Sequence, residues 1–292
     1  MSKELITQPD DHIGNIIASL NKLSAEDVNR IVKHQASTGL RFGEAAVALG
    51  LANNEQVLWA LSQQFSYSYL APANEKIPSE LISAIAPFSQ AAEFFRDIRS
   101  TLLTEVFQPD AAPTALAICS QDIGDGKTFF AANMAVAFSQ LGGRTLLIDA
   151  NMRNPRIHQV FNLKNKISNG LSSALAGKGE IQVVNPHELL PNLFVLPVGV
   201  VPPNPLELIH SRAFDQLLSD VYQSFKFVLV DTPALRHGSD AKAIAAKCGA
   251  ALLVTRKDVS HINEVKALSQ SLAKNCQKFV GAVVNEYPAG NP

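Results

Sequence analysis

The stretch QDIGDGKTFF holds the residues whose types and order best suit phosphate chemistry. Gly124 and Gly126 let backbone N–H groups approach phosphate oxygens, and a helix opening at Lys127-Thr128 adds the partial positive charge of its N-terminus. Lys127 supplies a point charge for the outer phosphates of a nucleotide, and the Thr128 hydroxyl is placed to ligate Mg²⁺. Asp125 and Phe129 complete the expected contact set. The leading glycine of a full GxxxxGK[ST] pattern is replaced by Gln121, so the segment alone leaves an ordinary strand–helix turn open.

Two further segments narrow that choice. RTLLIDANMRNP closes an apolar strand on Asp149, with Asn151 and Arg153 following, and FKFVLVDTPA closes another on Asp231-Thr232-Pro233. A carboxylate directly after an apolar run is costly to bury unless it meets a metal or solvent. Ligands of open α/β sheets sit at the carboxyl ends of the strands, so Lys127, Thr128, Asp149 and Asp231 are expected to converge on one crevice. ATP and Mg²⁺ are its expected occupants.

The elements that must hold these groups are visible as texture. From Thr114 onward, short apolar runs (TALAIC, RTLLID, LFVLPV, FKFVLVD, AALLVT, KFVGAVV) alternate with helical stretches. Continuous apolar strands spaced by helices imply a mostly parallel sheet covered on both faces, an α/β fold. Residues 1–70 read instead as a small helical domain, 71–89 as a linker containing prolines, and 90–292 as the α/β domain. A helix-like stretch runs from about Ser79 to Phe107, with a break near Pro87.

The helical region repeats itself. Residues 12–35 and 41–64 align without gaps, sharing Gly14/Gly43, Leu20/Leu49, Glu26/Glu55, Val28/Val57 and Gln35/Gln64. Each copy reads as helix, turn, helix, with Ser24–Asp27 and Asn53–Gln56 as capping arrangements. One such pair cannot bury its own apolar face, so the two copies should pack together.

Composition excludes whole classes. Apolar residues make up 47% of the 292 and charged ones 17%, which is the make-up of a packed protein. Lys+Arg 25 against Asp+Glu 26 gives a net charge of −1, so no bulk electrostatic case for nucleic acid or anionic membrane exists. No apolar run approaches a spanning helix, and the polar, acidic start is unlike a signal peptide. Cys119, Cys248 and Cys276 have no CxxC spacing and read as buried thiols, and a cytoplasmic chain is expected.

The order of the phosphate loop, [LIV]-I-D-x-[DN]-x-R and [LIV]-D-T-P resembles the Walker A, A′ and B set of the bacterial tyrosine kinases, relatives of the MinD and ParA ATPases. EFFRDIR (93–99) matches that family's ExxRxxR motif, GVVPPNPLEL (199–208) resembles GxxPPNPxEL, and Asp240 falls in an SDA sequence after Walker B. The whole layout is most similar to the EpsG type of chain-length-determinant tyrosine kinase. The resemblance implies a P-loop NTPase fold and protein-tyrosine autokinase activity. It assigns Lys127 to the phosphates, Thr128 and Asp231 to Mg²⁺ (directly or through water), and Asp149 to receiving the tyrosine proton; a structural carboxylate is the alternative for Asp149. Asn151 stands for the second Asp of DxDxR, where its amide can still bond a metal-bound water. Arg153 neutralises the transferring group, tethers its loop, or forms a surface ion pair. Asn285 contacts the nucleotide base or is a turn asparagine. Glu93, Arg96 and Arg99 are implied to join subunits into a ring, with Phe94, Phe95, Ile98 and Leu102 facing the core.

The implied partner is a membrane-embedded polysaccharide copolymerase, which would place the chain peripherally at the inner membrane and make it a regulator of exopolysaccharide chain length or export. Departures from the pattern are Asn151, Ile123 where the family loop has proline, and Asp122 where MinD-type proteins carry a lysine. The family's tyrosine cluster is missing, which leaves Tyr287 as the tail acceptor or another protein as the substrate. A weak ATPase scaffold is therefore a second reading. The repeat region is similar to the MshE-like N-terminal domain of type II secretion ATPases, some of which bind cyclic di-GMP. Arg41, Gly43, Gly50 and Gln64 keep that motif, whereas His12 and Asn21 depart from it. Residues 12–64 are thus a possible cyclic di-GMP sensor, a third reading, or a protein-docking adaptor.

Overall fold

The computed structural model describes residues 10–64, 69, 77–163, 169–179 and 181–286. Tyr67, Tyr287 and the side chain of His12 lie outside the described residues. The chain divides into two compact units, residues 1–75 with 85–89, and residues 76–84 with 90–292.

The first unit is two helix–turn–helix copies, α1 (Asp10–Leu20) with α2 (Ala25–Thr38) and α3 (Phe42–Ala48) with α4 (Asn54–Gln64). Both second helices open on reciprocal caps. The Asp27 N–H donates to Ser24 Oγ at 3.1 Å and the Ser24 N–H to Asp27 Oδ2 at 3.1 Å. The Gln56 N–H donates to Asn53 Oδ1 at 2.9 Å and the Asn53 N–H to Gln56 Oε1 at 2.8 Å. Ile13, Ile17, Ile31, Phe42, Ala45, Ala46 and Ala60 share one core, as stacked copies require. Gly43 has a packing reason, since a Cβ there would lie 2.6 Å from Val57 Cγ1, whereas one on Gly14 would make only ordinary contact with the Phe42 ring at 3.7 Å.

The short helix α5 (Ile82–Ile85), all but its last residue in the second unit, and α6 (Gln90–Glu105) precede a six-stranded sheet. The strands are β1 (Ala115–Ser120), β2 (Thr145–Asp149), β3 (Leu193–Leu196), β4 (Phe227–Asp231), β5 (Gly249–Arg256) and β6 (Lys278–Asn285). Their order is β3-β2-β4-β1-β5-β6, and every pairing is parallel. The connections carry α7 (Lys127–Ser139), α8 (Ile157–Val160), α9 (Leu171–Leu175), α10 (Pro205–His210), α11 (Arg212–Ser224), α12 (Asp240–Cys248) and α13 (Ile262–Asn275). β1, β2 and β4 are buried at every position, which explains their unbroken apolar text. Cys119, Cys248 and Cys276 are all buried free thiols. Among the described residues, no helix is long and apolar enough to cross a membrane.

Two local expectations change. Of the expected linker, residues 77–84 belong to the α/β unit, where Leu81 is buried and Asn133 of α7 fastens the backbone. The expected break near Pro87 separates α5 from α6. On α6, Phe95 and Leu102 are buried, Ile98 is half-buried, and Phe94 is exposed. Successive helical residues are about 100° apart, so Phe94 cannot share the inward face of Phe95.

Candidate active site at the strand ends

The loop between β1 and α7 holds its shape through its own polar groups. Asp125 is buried, and its Oδ2 accepts the Asp122 N–H at 2.8 Å. Burial raises the Asp125 carboxyl above its ordinary range. Gly126 sits at φ +93 and is the N-cap of α7, leaving the N–H groups of that first turn directed at the loop mouth. A Cβ there would fall 2.1 Å from Asn285 Nδ2, because Asn285 at the end of β6 donates to the Asp125 carbonyl at 3.0 Å. Asn285 thus ties the sixth strand to the loop. Phe129 is half-buried and packs its ring against Phe95 of α6.

Lys127 and Thr128 are buried at the start of α7, beside the ends of β2 and β4. Asp149 and Asp231 are register partners on these adjacent strands, and both are fully buried. The Thr128 hydroxyl donates to Asp231 Oδ2 at 2.7 Å. Asp231 Oδ1 is buried without a hydrogen-bond partner among the described residues. Burial raises the Asp231 carboxyl, and the nearby Lys127 charge opposes this. Asp149 is raised further, first by burial and then by the Asp231 charge. The Asn151 N–H at 3.2 Å and the Ile157 N–H at 3.1 Å donate to its two oxygens, so the loop 150–157 wraps the carboxylate.

The chain is similar to several known proteins. The family model described as cellulose biosynthesis protein BcsQ matches residues 115–287. The putative tyrosine-protein kinase CapB of Staphylococcus aureus is 34% identical over 202 residues, which cover 69% of this chain and 87% of CapB. The chain belongs to the bacterial tyrosine kinases. The tyrosine-protein kinase Wzc of Salmonella typhi is also 34% identical, over 207 residues that cover 71% of this kinase and 28% of Wzc. The crystal structure of the chimerical protein CapA2B2 superposes with a TM-score of 0.65 at 35% identity, over 78% of this chain and 98% of that one. The septum site-determining protein MinD of Pyrococcus horikoshii shares the fold alone, with a TM-score of 0.51 at 23% identity over 61% of this chain and 72% of its own.

Within this kinase, the groups read from the sequence as one cluster do come together, whereas the outlying ones are held elsewhere. Arg153 is engaged by the buried carboxylate of Asp240, with Nη2 3.2 Å from Oδ1. The Asn151 amide is spent on its own turn: Nδ2 donates to the Asn154 carbonyl at 2.7 Å, and Oδ1 accepts the Asn154 N–H at 3.1 Å. On α6, Arg96 Nε donates to Glu93 Oε2 at 2.8 Å, and Arg99 donates to the Ala137 carbonyl of α7. Arg96 thus has a carboxylate partner one turn away on its own helix.

Sequence reasoning overlooked two contacts around the loop. Thr232 Oγ1 donates to the Ile118 carbonyl at 2.8 Å, joining β4 to β1. Arg236 pairs with Asp122, so the acid that replaces a lysine has a cation from the segment after β4. The complementary charges of Asp122 and Arg236 were the available signal, but their separation by 114 residues hides it.

Proposed function

We propose that this bacterial tyrosine kinase transfers the γ-phosphoryl group of ATP, with Mg²⁺, to tyrosine, and that Lys127, Thr128, Asp149 and Asp231 carry the reaction. The observation that supports this most is the orphaned Asp231 Oδ1, buried beside the Thr128 hydroxyl. A buried carboxylate oxygen without a donor is unfavourable unless a cation or ordered water completes it. The donor set is all oxygen, which suits Mg²⁺, so the residues fit the ion. When bound, the ion would supply charge neutralisation for the phosphates.

The chain's own groups divide the remaining work. Gly124 and Gly126 expose backbone N–H groups to the phosphates, and Lys127 adds a fixed positive charge from inside the protein. Asp149 takes the tyrosine proton. Its raised affinity for protons makes it a stronger base than an exposed carboxylate, and its two backbone donors fix its direction. Asn285 holds the loop and reaches the nucleotide base, while Arg153, tethered by Asp240, steadies the loop after β2.

At the level of the cell, the chain serves as an autokinase regulating exopolysaccharide chain length or export, docked on a membrane polysaccharide copolymerase. The α6 face with Glu93, Arg96 and Arg99 serves self-association. Residues 1–70 act as an adaptor. Calorimetry with Mg·ATP followed by phosphotyrosine detection tests the enzymatic reading. Binding together with phosphotyrosine supports it, and binding without phosphotyrosine favours the ATPase scaffold, whose basis is Asn151 in place of an acid.

A further inference from the structure

The segment 77–84 touches the catalytic apparatus at two levels. Asn133, fully buried on the helix that begins with Lys127 and Thr128, accepts the Ser83 N–H at 2.9 Å and donates to the Glu80 carbonyl at 2.9 Å. Gln140, just past the same helix, donates to the Ser83 carbonyl at 2.8 Å. The segment is therefore fixed to the helix that follows the phosphate loop. From that base the Glu80 side chain reaches Arg156, whose Nη2 lies 2.9 and 2.7 Å from its two carboxylate oxygens.

Arg156 is the residue before Ile157, whose N–H donates to Asp149 Oδ2. Its own backbone also donates toward Asp149, and its guanidinium favours the charged form of Asp231. We infer that Glu80 and Arg156 are positioning residues of the kinase: their ion pair sets the loop after β2 and hence the direction of the Asp149 carboxylate. Both side chains are about two-fifths exposed, and an ion pair of that kind adds little to folding stability. A small displacement of a reacting group can still cost up to a hundredfold in rate. The pair's effect is therefore on the geometry of transfer. This inference rests on Asp149 as the base.

The test uses the full-length chain. Glu80→Gln is expected to lower kcat for phosphotyrosine formation about tenfold, with KM for ATP within about twofold. Arg156→Lys, which keeps the charge and one donor, retains most of the activity. The double variant Glu80→Gln/Arg156→Gln loses no more than Arg156→Gln alone, because the two act as one unit. In the nucleotide-free chain, amide exchange across residues 150–158 quickens in Glu80→Gln while the strands stay as protected as before. An unchanged kcat in Glu80→Gln, losses that multiply in the double variant, or, for a parent that does not turn over, unchanged exchange across 150–158 would overturn the inference. Full activity in Asp149→Asn together with faster exchange in Glu80→Gln would instead remove the base assignment and leave the clamp standing.

Discussion

Asp149 and Asp231 face each other as register partners on β2 and β4, two fully buried carboxylates at the ends of neighbouring strands. Like charges so placed disfavour joint ionisation, and burial adds to that. Burial raises the proton affinity of both, with Asp231 pushed up to about 6, and the Asp231 charge raises Asp149 further. Below pH ~4 the folded and unfolded forms both hold these protons. As pH rises through 6, the folded form must release protons that the unfolded chain has already lost, so the pair's contribution to stability declines. Asp231→Asn removes the Asp231 share of this effect and the charge that adds to the shift of Asp149. Its stability relative to the parent, measured by urea unfolding without nucleotide, should improve steadily between pH 4 and pH 7. A difference that does not change with pH contradicts the assigned shift.

Thr128 supplies the hydroxyl that points at Asp231. Removing it takes away a hydrogen bond to a charged group and one oxygen of the proposed cation site. Thr128→Ala should weaken Mg·ATP binding by about tenfold or more while barely altering affinity for ATP in EDTA. Calorimetry with and without the metal separates the two effects, and equal weakening in both conditions would remove Thr128 from the cation site.

Gly126 cannot carry a side chain where it stands. Its φ of +93 disfavours any L-residue, and the added carbon would press on Asn285. Gly126→Ala should lose about 1 kcal/mol or more of stability and most nucleotide affinity. Adding Asn285→Ala relieves the contact but not the backbone strain, so thermal stability should recover only in part. Full recovery would show that the clash alone mattered.

The sheet was legible in its apolar runs, and the four central site groups because they stand where such runs give way to polar residues. Asp149 follows Leu-Leu-Ile and Asp231 follows Phe-Val-Leu-Val, and Lys127-Thr128 opens a helix after glycines. The caps of the repeat were legible for a similar reason, since Ser24–Asp27 and Asn53–Gln56 interact across three residues. What escaped were contacts between distant segments. Nothing local marks Glu80 as the partner of Arg156, and 77–84 looked like a connector because its two anchors come from Asn133 and Gln140 far along the chain. Phe94 was misplaced because the apolar character of a residue does not state which way the helix turns it.

The three thiols give a check on the core. Cys119 is fully buried and its thiol is pushed up to about 12, while Cys248 and Cys276 are also raised by burial. A thiol reacts through its thiolate, so all three should resist iodoacetamide at pH 8 in the folded protein and react fully in denaturant. Rapid labelling of Cys119 in the native state would contradict the packing around β1.

The proposed transfer requires Asp149 as the group that receives the tyrosine proton. Phosphotyrosine formation should be compared between the parent and Asp149→Asn at saturating Mg·ATP, with binding of each verified by calorimetry. The expected result is nucleotide affinity within a few-fold of the parent and phosphotyrosine reduced by at least about a hundredfold. Transfer by Asp149→Asn at the parent's rate would contradict the mechanism.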